Sequence, residues 1–347
     1  MKKVLLSLAL TITGFAYGQL NVPLYSTEVF SDDLYMIDTS TFTVTSTTTL
    51  TSGLGVSGIN GADIDPCTGT VYVNYKDGGS TRRLGTLDPA TGVITDIGPF
   101  GDQVSTISFG PTGLLFAITG NGAGTTETLY QVDIGTGAMT LITPLSAEDD
   151  GEALGFNPDN GMLYRWSGWS NVDCIMEEID PSTFTATAVP LSGYAYDNVA
   201  GATYIGNNTF ILGNAFDDEY MTITTGGVAT GPIDGGLGHQ AKGLWQPNRF
   251  IQAATNTLCT SGFVIIQATE GDAYEWFMDG SSTGVTTPYF YADAAGDYYC
   301  QITIDGCDGN SNTVTLTTGT TVGPTVDLDP TPEAWICSAG STVDITG

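Results

Sequence analysis

Short runs of alternating apolar and polar residues recur along most of the chain, and Gly, Asp, Asn or Pro punctuate the places where the runs end. Alternation with a period of two predicts β-strands with one side turned toward a core. The chain is also rich in Gly and carries many aromatic residues, which suits a protein with many strands and tight turns. The pattern therefore predicts an all-β protein.

One phrase of this pattern repeats at a nearly constant spacing. The segment "TLYQVDIGTGAMTLI" recurs in similar form as "DLYMIDTSTFTVTS", "RRLGTLDPATGVITDI" and "MEEIDPSTFTATAV". The aligned Asp residues are Asp38, Asp88, Asp133 and Asp180, at intervals of 50, 45 and 47 residues. An Asp carboxylate before a turn can accept hydrogen bonds from the N–H groups that follow it. We interpret these residues as turn-forming rather than catalytic.

A second phrase alternates with the first and also reads as strand, tight turn, strand. It occurs as "GADIDPCTGTVYVNY", "TISFGPTGLLFAIT", "ALGFNPDNGMLYRW" and "GATYIGNNTFILGN", with turn markers at Pro66, Pro111 and Pro158. One period thus contains four short strands, which is typical of a β-propeller blade. The strand before the "DP" or "NP" marker is rich in small residues, so we expect it to be the innermost strand of its blade.

The two ends of the repeat region complement each other. Residues 21–50 supply three strands without an inner one, and the segment "HQAKGLWQP" at 239–247 reads as a lone inner strand. Joining the two chain ends in one blade would remove the open edges of the sheet. The sequence therefore predicts a five-bladed β-propeller over residues 19–248.

The N-terminus has the features of a secretory signal. Lys2 and Lys3 precede an apolar stretch, and the small residues Ala16 and Gly18 follow it. We assign residues 1–18 to a signal peptide and expect a secreted, extracellular or cell-surface protein without membrane insertion of the mature chain.

The charge balance narrows the range of partners. The chain has 38 acidic and 8 basic residues, for a formal net charge of −30. Such a surface repels nucleic acid and anionic lipid. We expect no cofactor, with calcium at "DDGE" or "FDDEY" (Asp217, Asp218 and Glu219) as the open alternative, although neither segment has the register of an EF-hand loop.

Residues 249–320 follow a different pattern. The segments "SGFVIIQATEGDAYEWFMDG" and "AAGDYYCQITIDGC" resemble the Ig-like repeats common in secreted proteins of Bacteroidota. The resemblance implies a small β-sandwich with Trp276 buried on a central strand and Tyr298 at a tyrosine corner. It also implies a disulfide between Cys259 and Cys307, which export would permit.

The other cysteines and the last segment leave questions open. Cys300 departs from the family pattern and is either a buried thiol or a sign of different pairing, and nothing in the sequence pairs Cys67 or Cys174. Residues 321–347, with "CSAGSTVDI", read as the incomplete start of a second Ig-like repeat. The whole chain resembles secreted Bacteroidota-type surface proteins with an N-terminal propeller, and the resemblance implies further modules and a C-terminal secretion or anchoring signal.

Residues suited to catalysis are few. His239 is the only histidine, no Gly-x-Ser-x-Gly elbow accompanies it, and no His or Cys pair has the spacing of a zinc site. We therefore assign no catalytic residue and no metal ligand from the sequence.

The loops that enter the inner strands should open on one face of the propeller, around its channel. Aromatic rings there could stack on a sugar while carboxylates accept its hydroxyl protons. The candidate ligand-binding residues on this face are Trp166, Trp169, Tyr194, Tyr196, Asp149, Asp150, Glu152, Asp197 and His239.

We interpret the protein as a secreted or cell-surface interaction protein that acts in adhesion or in glycan or matrix binding. Its partner would be an extracellular glycan or protein, with the Ig-like modules as spacers. One alternative is a polysaccharide-active hydrolase or lyase that uses the channel-mouth carboxylates. The other is a structural surface component without a ligand.

Overall fold

Strands account for nearly all of the regular structure, as the alternating pattern predicts. The computed structural model describes residues 20–120, 122–145, 152–168, 174–193, 198–214, 219–234, 240–258 and 262–319. A short 3₁₀ turn at Pro111–Gly113 interrupts the strands of the first region. These strands are, in chain order, β1 (Leu24–Thr27), β2 (Asp33–Asp38), β3 (Thr43–Thr49), β4 (Ile59–Ile64), β5 (Val71–Lys76), β6 (Arg82–Asp88), β7 (Val93–Pro99), β8 (Val104–Phe109), β9 (Leu115–Thr119), β10 (Thr128–Val132), β11 (Met139–Pro144), β12 (Glu152–Asn157), β13 (Met162–Ser167), β14 (Ile175–Asp180), β15 (Thr185–Val189), β16 (Val199–Tyr204), β17 (Thr209–Asn214), β18 (Glu219–Thr224), β19 (Ala229–Asp234) and β20 (Lys242–Trp245).

Within the described ranges these strands form five antiparallel sheets of four strands each. Sheet 1 has the order β20-β1-β2-β3, and sheets 2 to 5 consist of β4–β7, β8–β11, β12–β15 and β16–β19 in sequence order. Strand β20 pairs with β1, Tyr25 opposite Trp245, and so completes the first sheet as the sequence predicts. This arrangement is a propeller-like all-β fold.

The strands β4, β8, β12, β16 and β20 are the inner strands of the five sheets and contact one another in succession, with β20 also contacting β4. Small residues permit this close approach. A Cβ atom at Gly61 would lie 2.8 Å from the backbone nitrogen of Ile107 on the next inner strand. The prediction that small-residue strands lie innermost is confirmed at this position.

The recurring Asp residues form turns, as predicted. Each of the four carboxylates accepts a hydrogen bond from the backbone N–H two residues later, at 2.8 to 3.0 Å. Such hydrogen bonds favour the charged carboxylate, and those from Ser40 and Asn21 lower the pKa of Asp38 to about 2. These residues therefore shape the outer hairpins.

The described residues of the second region form nine strands in two sheets. The smaller sheet has the order β21-β23-β26, and the larger has the order β22-β29-β27-β24-β25, with β28 paired to β27. Their bounds are β21 (Ile251–Ala253), β22 (Thr257–Leu258), β23 (Val264–Ala268), β24 (Ala273–Met278), β25 (Ser281–Ser282), β26 (Tyr289–Ala292), β27 (Gly296–Ile304), β28 (Cys307–Asn310) and β29 (Val314–Thr318).

The core of this region contains the residues that the resemblance singles out. Trp276 is fully buried, and its indole N–H donates to the carbonyl of Thr287 at 2.7 Å. The hydroxyl of Tyr298 donates to the carbonyl of Ala294 at 2.7 Å, which is the hydrogen bond expected of a tyrosine corner. Cys300 is buried and forms no disulfide, and its thiol donates to the carbonyl of Gln301 at 3.4 Å, which is the first of the two alternatives for this residue.

The predicted disulfide between Cys259 and Cys307 is wrong in its pairing. Cys307 is bonded to Cys67, which lies in the turn between β4 and β5, with a Cα–Cα distance of 5.0 Å. Cys259 lies outside the described residues. Arg249 reinforces the same junction because its guanidinium donates to the carbonyls of Ile302 and Cys307, each at 2.9 Å. The disulfide therefore joins sheet 2 to the second region.

Candidate functional site

The inner strands all begin at one end of the propeller-like region, which we call the inner-strand face. Asp63 on β4 accepts hydrogen bonds from the hydroxyl of Ser108 and the N–H of Phe109 on β8, so these neighbours run side by side in the same direction. Gly201 on β16 likewise lies against Gly243 on β20. The second strand of each sheet ends at this face, and the third strand begins there.

The basic residues of residues 19–248 are concentrated at this face. Lys76 ends β5, Arg82 and Arg83 begin β6, Arg165 lies near the end of β13, and Lys242 begins β20. These five are all the Lys and Arg residues in this range of the sequence. A chain with a formal charge of −30 therefore places its few cations together.

Two of the five cations are neutralised by carboxylates. Arg83 forms a bidentate pair with Asp96, with both N–O distances at 2.7 Å. Arg165 is fully buried and pairs with Glu152 at 2.8 Å, with Glu177 at 2.6 Å, and with Glu127. Such geometry satisfies a guanidinium.

The Arg165 cluster connects two sheets. Glu152 and Glu177 lie on β12 and β14 of sheet 4, whereas Glu127 precedes β10 of sheet 3. Burial, together with the hydrogen bond and charge of Glu152, raises the pKa of Glu127 and favours its protonated form, whereas Arg165 opposes this shift. We interpret this cluster as an internal crosslink because its arginine has no exposed surface.

The other three cations have no carboxylate partner in the part of the chain that the structure describes. Within the described residues, Lys76, Arg82 and Lys242 form no salt bridge. Arg82 donates to the side-chain carbonyls of Asn60 and Gln103, the latter at 3.3 Å, and the ammonium of Lys76 lies 4.5 Å from the ring centre of Phe30. Neutral groups therefore position these cations without cancelling their charge.

Lys242 is the most unusual of the three. It is only 5% exposed, and it forms no salt bridge with any of the described residues. Burial is the main cause that lowers its pKa to about 7, the charges of Arg82 and Lys76 act in the same direction, and Glu152 opposes them. A buried cation without a counter-ion is costly and favours the approach of an anion.

The neighbouring cations are affected in the same direction. Burial and the charge of Arg82 lower the pKa of Lys76 to about 8, and burial lowers the pKa of Arg82 to about 10. Each shift indicates that the positive form lacks compensation in the folded protein. We define Lys76, Arg82 and Lys242, with Asn60 and Gln103, as the cation site.

The structure corrects the proposed aromatic platform at Trp166. Its side chain is 0% exposed, and its ring lies 5.0 Å from that of Phe210 in an edge-to-face arrangement. Strand β13 lies between neighbouring sheets, so both of its faces are covered and alternation does not leave one side in solvent. Trp166 therefore packs in the core and cannot stack on a sugar.

Glu152 is also unavailable to a ligand. It is 0% exposed and holds Arg165 through both of its carboxylate oxygens. The remaining predicted site residues lie outside the described residues: Trp169, Tyr194, Tyr196, Asp149, Asp150, Asp197 and His239.

Sequence reasoning missed the cation site, although the sequence contained a signal for it. Lys76 and Arg82 flank one turn in "YKDGGSTRRL", and Lys242 begins the segment already predicted to be an inner strand. Basic residues are scarce in this acidic chain, and these three lie at strand ends that point toward the same end of the sheets. Together, these two observations would have predicted that they lie on one face.

Neither a metal cluster nor a membrane-spanning helix occurs in the part of the chain that the structure describes. No three His, Cys, Asp or Glu side chains within it are grouped so that they could hold a metal ion. No helix there is long and apolar enough to cross a membrane.

Comparisons with known proteins give fold likenesses at low identity. No known family profile matches the chain, and no curated protein does. A Bacteroides caccae protein of unknown function is 9% identical with a TM-score of 0.43, over 66% of this chain and 99% of that one. A PQQ-bound aldose sugar dehydrogenase from Streptomyces coelicolor is 14% identical with a TM-score of 0.42, over 69% and 89%.

A third solved structure is the extracellular domain of a hybrid two-component system from B. thetaiotaomicron. It is 10% identical with a TM-score of 0.33, over 83% of this chain and 47% of that one. At these scores and identities, none of the three assigns a function to the chain.

Proposed function

We propose that the protein is an exported interaction protein, built as a closed five-bladed β-propeller followed by an Ig-like sandwich. Its inner-strand face would bind an extracellular glycan. The pairing of β20 with β1 and the successive contacts of the inner strands support a closed ring of five blades. The Cys67–Cys307 disulfide is consistent with an oxidising location outside the cytoplasm.

The observation that carries this proposal is the cation site. Three basic side chains that form no salt bridge within the described residues lie on one face of a chain that has 38 acidic residues. Surface cations in such a chain would ordinarily find counter-ions among its own carboxylates. Leaving Lys76, Arg82 and Lys242 without a carboxylate among the described residues costs stability, which is typical of binding sites.

A glycan suits the chemistry of this site. Acidic sugars carry a carboxylate or sulfate for the cations and hydroxyl groups for amide side chains such as Asn60 and Gln103. The alternative of a hydrolase using channel-mouth carboxylates is weakened because Glu152 is committed to Arg165. The protein would thus recognise a sugar by charge and hydrogen bonding rather than by stacking on Trp166.

A glycan and matrix-protein array probed with the full chain tests this proposal. The informative variants are Arg82→Gln and Arg83→Gln, because they make the same charge change at adjacent positions of β6. Arg82 is unpaired, whereas Arg83 is paired with Asp96. We expect glycan binding that falls at least roughly tenfold in Arg82→Gln and stays within about twofold in Arg83→Gln.

The array should be run with calcium and with a chelator, so that a metal-dependent contribution is measured separately. Absence of binding to any glycan would contradict the proposal and favour a structural role. Binding that both variants retain in full would place the ligand away from the cation site.

A further inference from the structure

We propose that the cation site takes one compact carboxylate, such as the acid group of a uronic acid at the end of a glycan chain, between Lys242 and Arg82. This inference rests on the proposed function and names the chemical class of its ligand. It is carried by a lysine that is only 5% exposed and forms no salt bridge within the described residues, and by a neighbouring guanidinium held by neutral amides.

The first step of the argument concerns Lys242. An ammonium has three donor hydrogens, and no carboxylate of the described residues forms a salt bridge with this one. A carboxylate offers two acceptor oxygens and the opposite charge. Hydrogen bonds between charged partners are among the strongest in proteins, so a carboxylate satisfies this site better than a neutral hydroxyl.

The second step concerns Arg82. Its Nε donates to Gln103 and its Nη1 donates to Asn60, which leaves Nη2 without an acceptor in the described part of the chain. The two amides fix the plane of the guanidinium and add no charge. An arginine oriented in this way is prepared for a planar carboxylate.

The third step limits the size of the anion. The chain carries a formal charge of −30, and the Arg165 cluster adds buried carboxylates at the same face. A polyanion would meet repulsion from this field at every unit outside the cation site. A single carboxylate at a chain end receives the local attraction and little of the repulsion.

Binding of the carboxylate should also take up a proton. Charged groups near Lys242 are Arg82 on β6, Lys76 on β5 and Glu152 on β12. Of the strands packed against β20, β1 and β16 contain no charged residue, and β4 contains Asp63, which is occupied with Ser108 and Phe109. Because burial lowers the pKa of Lys242 to about 7, we expect the ammonium to be partly protonated at pH 8 and to take up a proton when the anion binds.

Isothermal titration calorimetry of the full chain with glucuronate, glucose and polygalacturonate tests this inference. We expect glucuronate to bind, glucose to bind at least tenfold more weakly, and polygalacturonate to bind no more tightly per chain end than glucuronate. Lys242→Met should weaken glucuronate binding at least tenfold, whereas Arg83→Gln should change it less than about twofold. Titrations in two buffers of different ionisation enthalpy at each pH, phosphate and Tris at pH 8 and acetate and MES at pH 5.5, should reveal proton uptake at pH 8 and almost none at pH 5.5.

Several outcomes would overturn the inference. Equal affinity of Lys242→Met and the parent for glucuronate would remove Lys242 from the site, and equal affinity for glucose would remove the carboxylate. Polygalacturonate that binds more tightly per chain end than glucuronate would exclude a chain-end ligand. In each case glycan binding on the array would still support the proposed function, so the two failures are distinguishable.

Discussion

Replacing Lys242 with methionine should stabilise the folded protein while abolishing its affinity for a carboxylate. Methionine has nearly the length and volume of lysine, so the substitution removes a charge without creating a cavity. Lys242 is 5% exposed and forms no salt bridge within the described structure. The parent protein therefore bears a desolvation penalty that the variant does not.

The size of this penalty follows from the pKa. A fall from the ordinary 10.5 to about 7 corresponds to about 5 kcal/mol of unfavourable free energy for the charged form. Relaxation of the structure and entry of water reduce such penalties, so we expect a gain of roughly 2 kcal/mol in the free energy of unfolding at pH 6.

The pH dependence gives this prediction a specific signature. Between pH 7 and 10.5 the unfolded chain holds a proton on Lys242 that the folded protein has released. This residue therefore makes the parent more stable as pH rises through that window. Lys242→Met lacks this contribution, so its advantage should be largest below pH 7 and shrink toward zero near pH 10.5.

Urea denaturation at pH 6, 8 and 9.5 measures the difference between parent and variant. Arg83→Met is the matched control, because it removes a cation that Asp96 already neutralises, and it should lose up to about 1 kcal/mol. A Lys242→Met variant that is less stable than the parent at pH 6, or a difference that does not change with pH, would refute the reasoning.

Other predictions follow from the buried clusters and the disulfide. Arg165→Met should destabilise the protein by about 3–5 kcal/mol, measured by urea denaturation, because three buried carboxylates lose their partner. Trp166→Ala should cost about 3–5 kcal/mol in the same assay, yet folded molecules should keep full glycan affinity on the array. In the parent, Glu127 should lower the stability as the pH rises from about 5 to 9, because its raised pKa keeps it protonated only in the folded state. Glu127→Gln should remove this loss of stability, and denaturation at pH 6 and 8.5 measures the difference. Peptide mapping of the non-reduced protein should yield a peptide joined through Cys67 and Cys307.

Each of these predictions has a clear contrary result. A loss below about 1 kcal/mol in Arg165→Met would mean that the carboxylates are accessible to water. Lost glycan affinity in folded Trp166→Ala would restore its role as a platform. A Glu127→Gln variant with the same pH dependence as the parent would mean that Glu127 is ionised, and a peptide joining Cys259 to Cys307 would restore the pairing implied by the resemblance.

Local features of this chain could be predicted from the sequence because their causes are local. The alternation of apolar and polar residues predicted the strands. The spacing of Asp38, Asp88, Asp133 and Asp180 predicted one hairpin turn per repeat, and hydrogen bonds within two or three residues stabilise each turn. The lone strand β20 was found because the first repeat lacked an inner strand.

Features that depend on distant parts of the chain could not be predicted in this way. Cys67 and Cys307 are 240 residues apart, and only the packing of the second region against sheet 2 brings them together. Trp166 appeared to be a surface residue because a period of two cannot distinguish a solvent-facing side from one covered by the next sheet. The partners of Arg165 come from two sheets for the same reason.

The measurement that tests the central claim most directly is an NMR titration of lysine side chains, with and without glucuronate. The chain has four lysines, Lys2, Lys3, Lys76 and Lys242, and loss of one signal in Lys242→Met assigns the resonance. We predict that the pKa of Lys242 lies near 7 in the free protein and rises by more than one unit when glucuronate is added. A pKa near 10.5, or one that glucuronate leaves unchanged, would contradict an anion site at this residue.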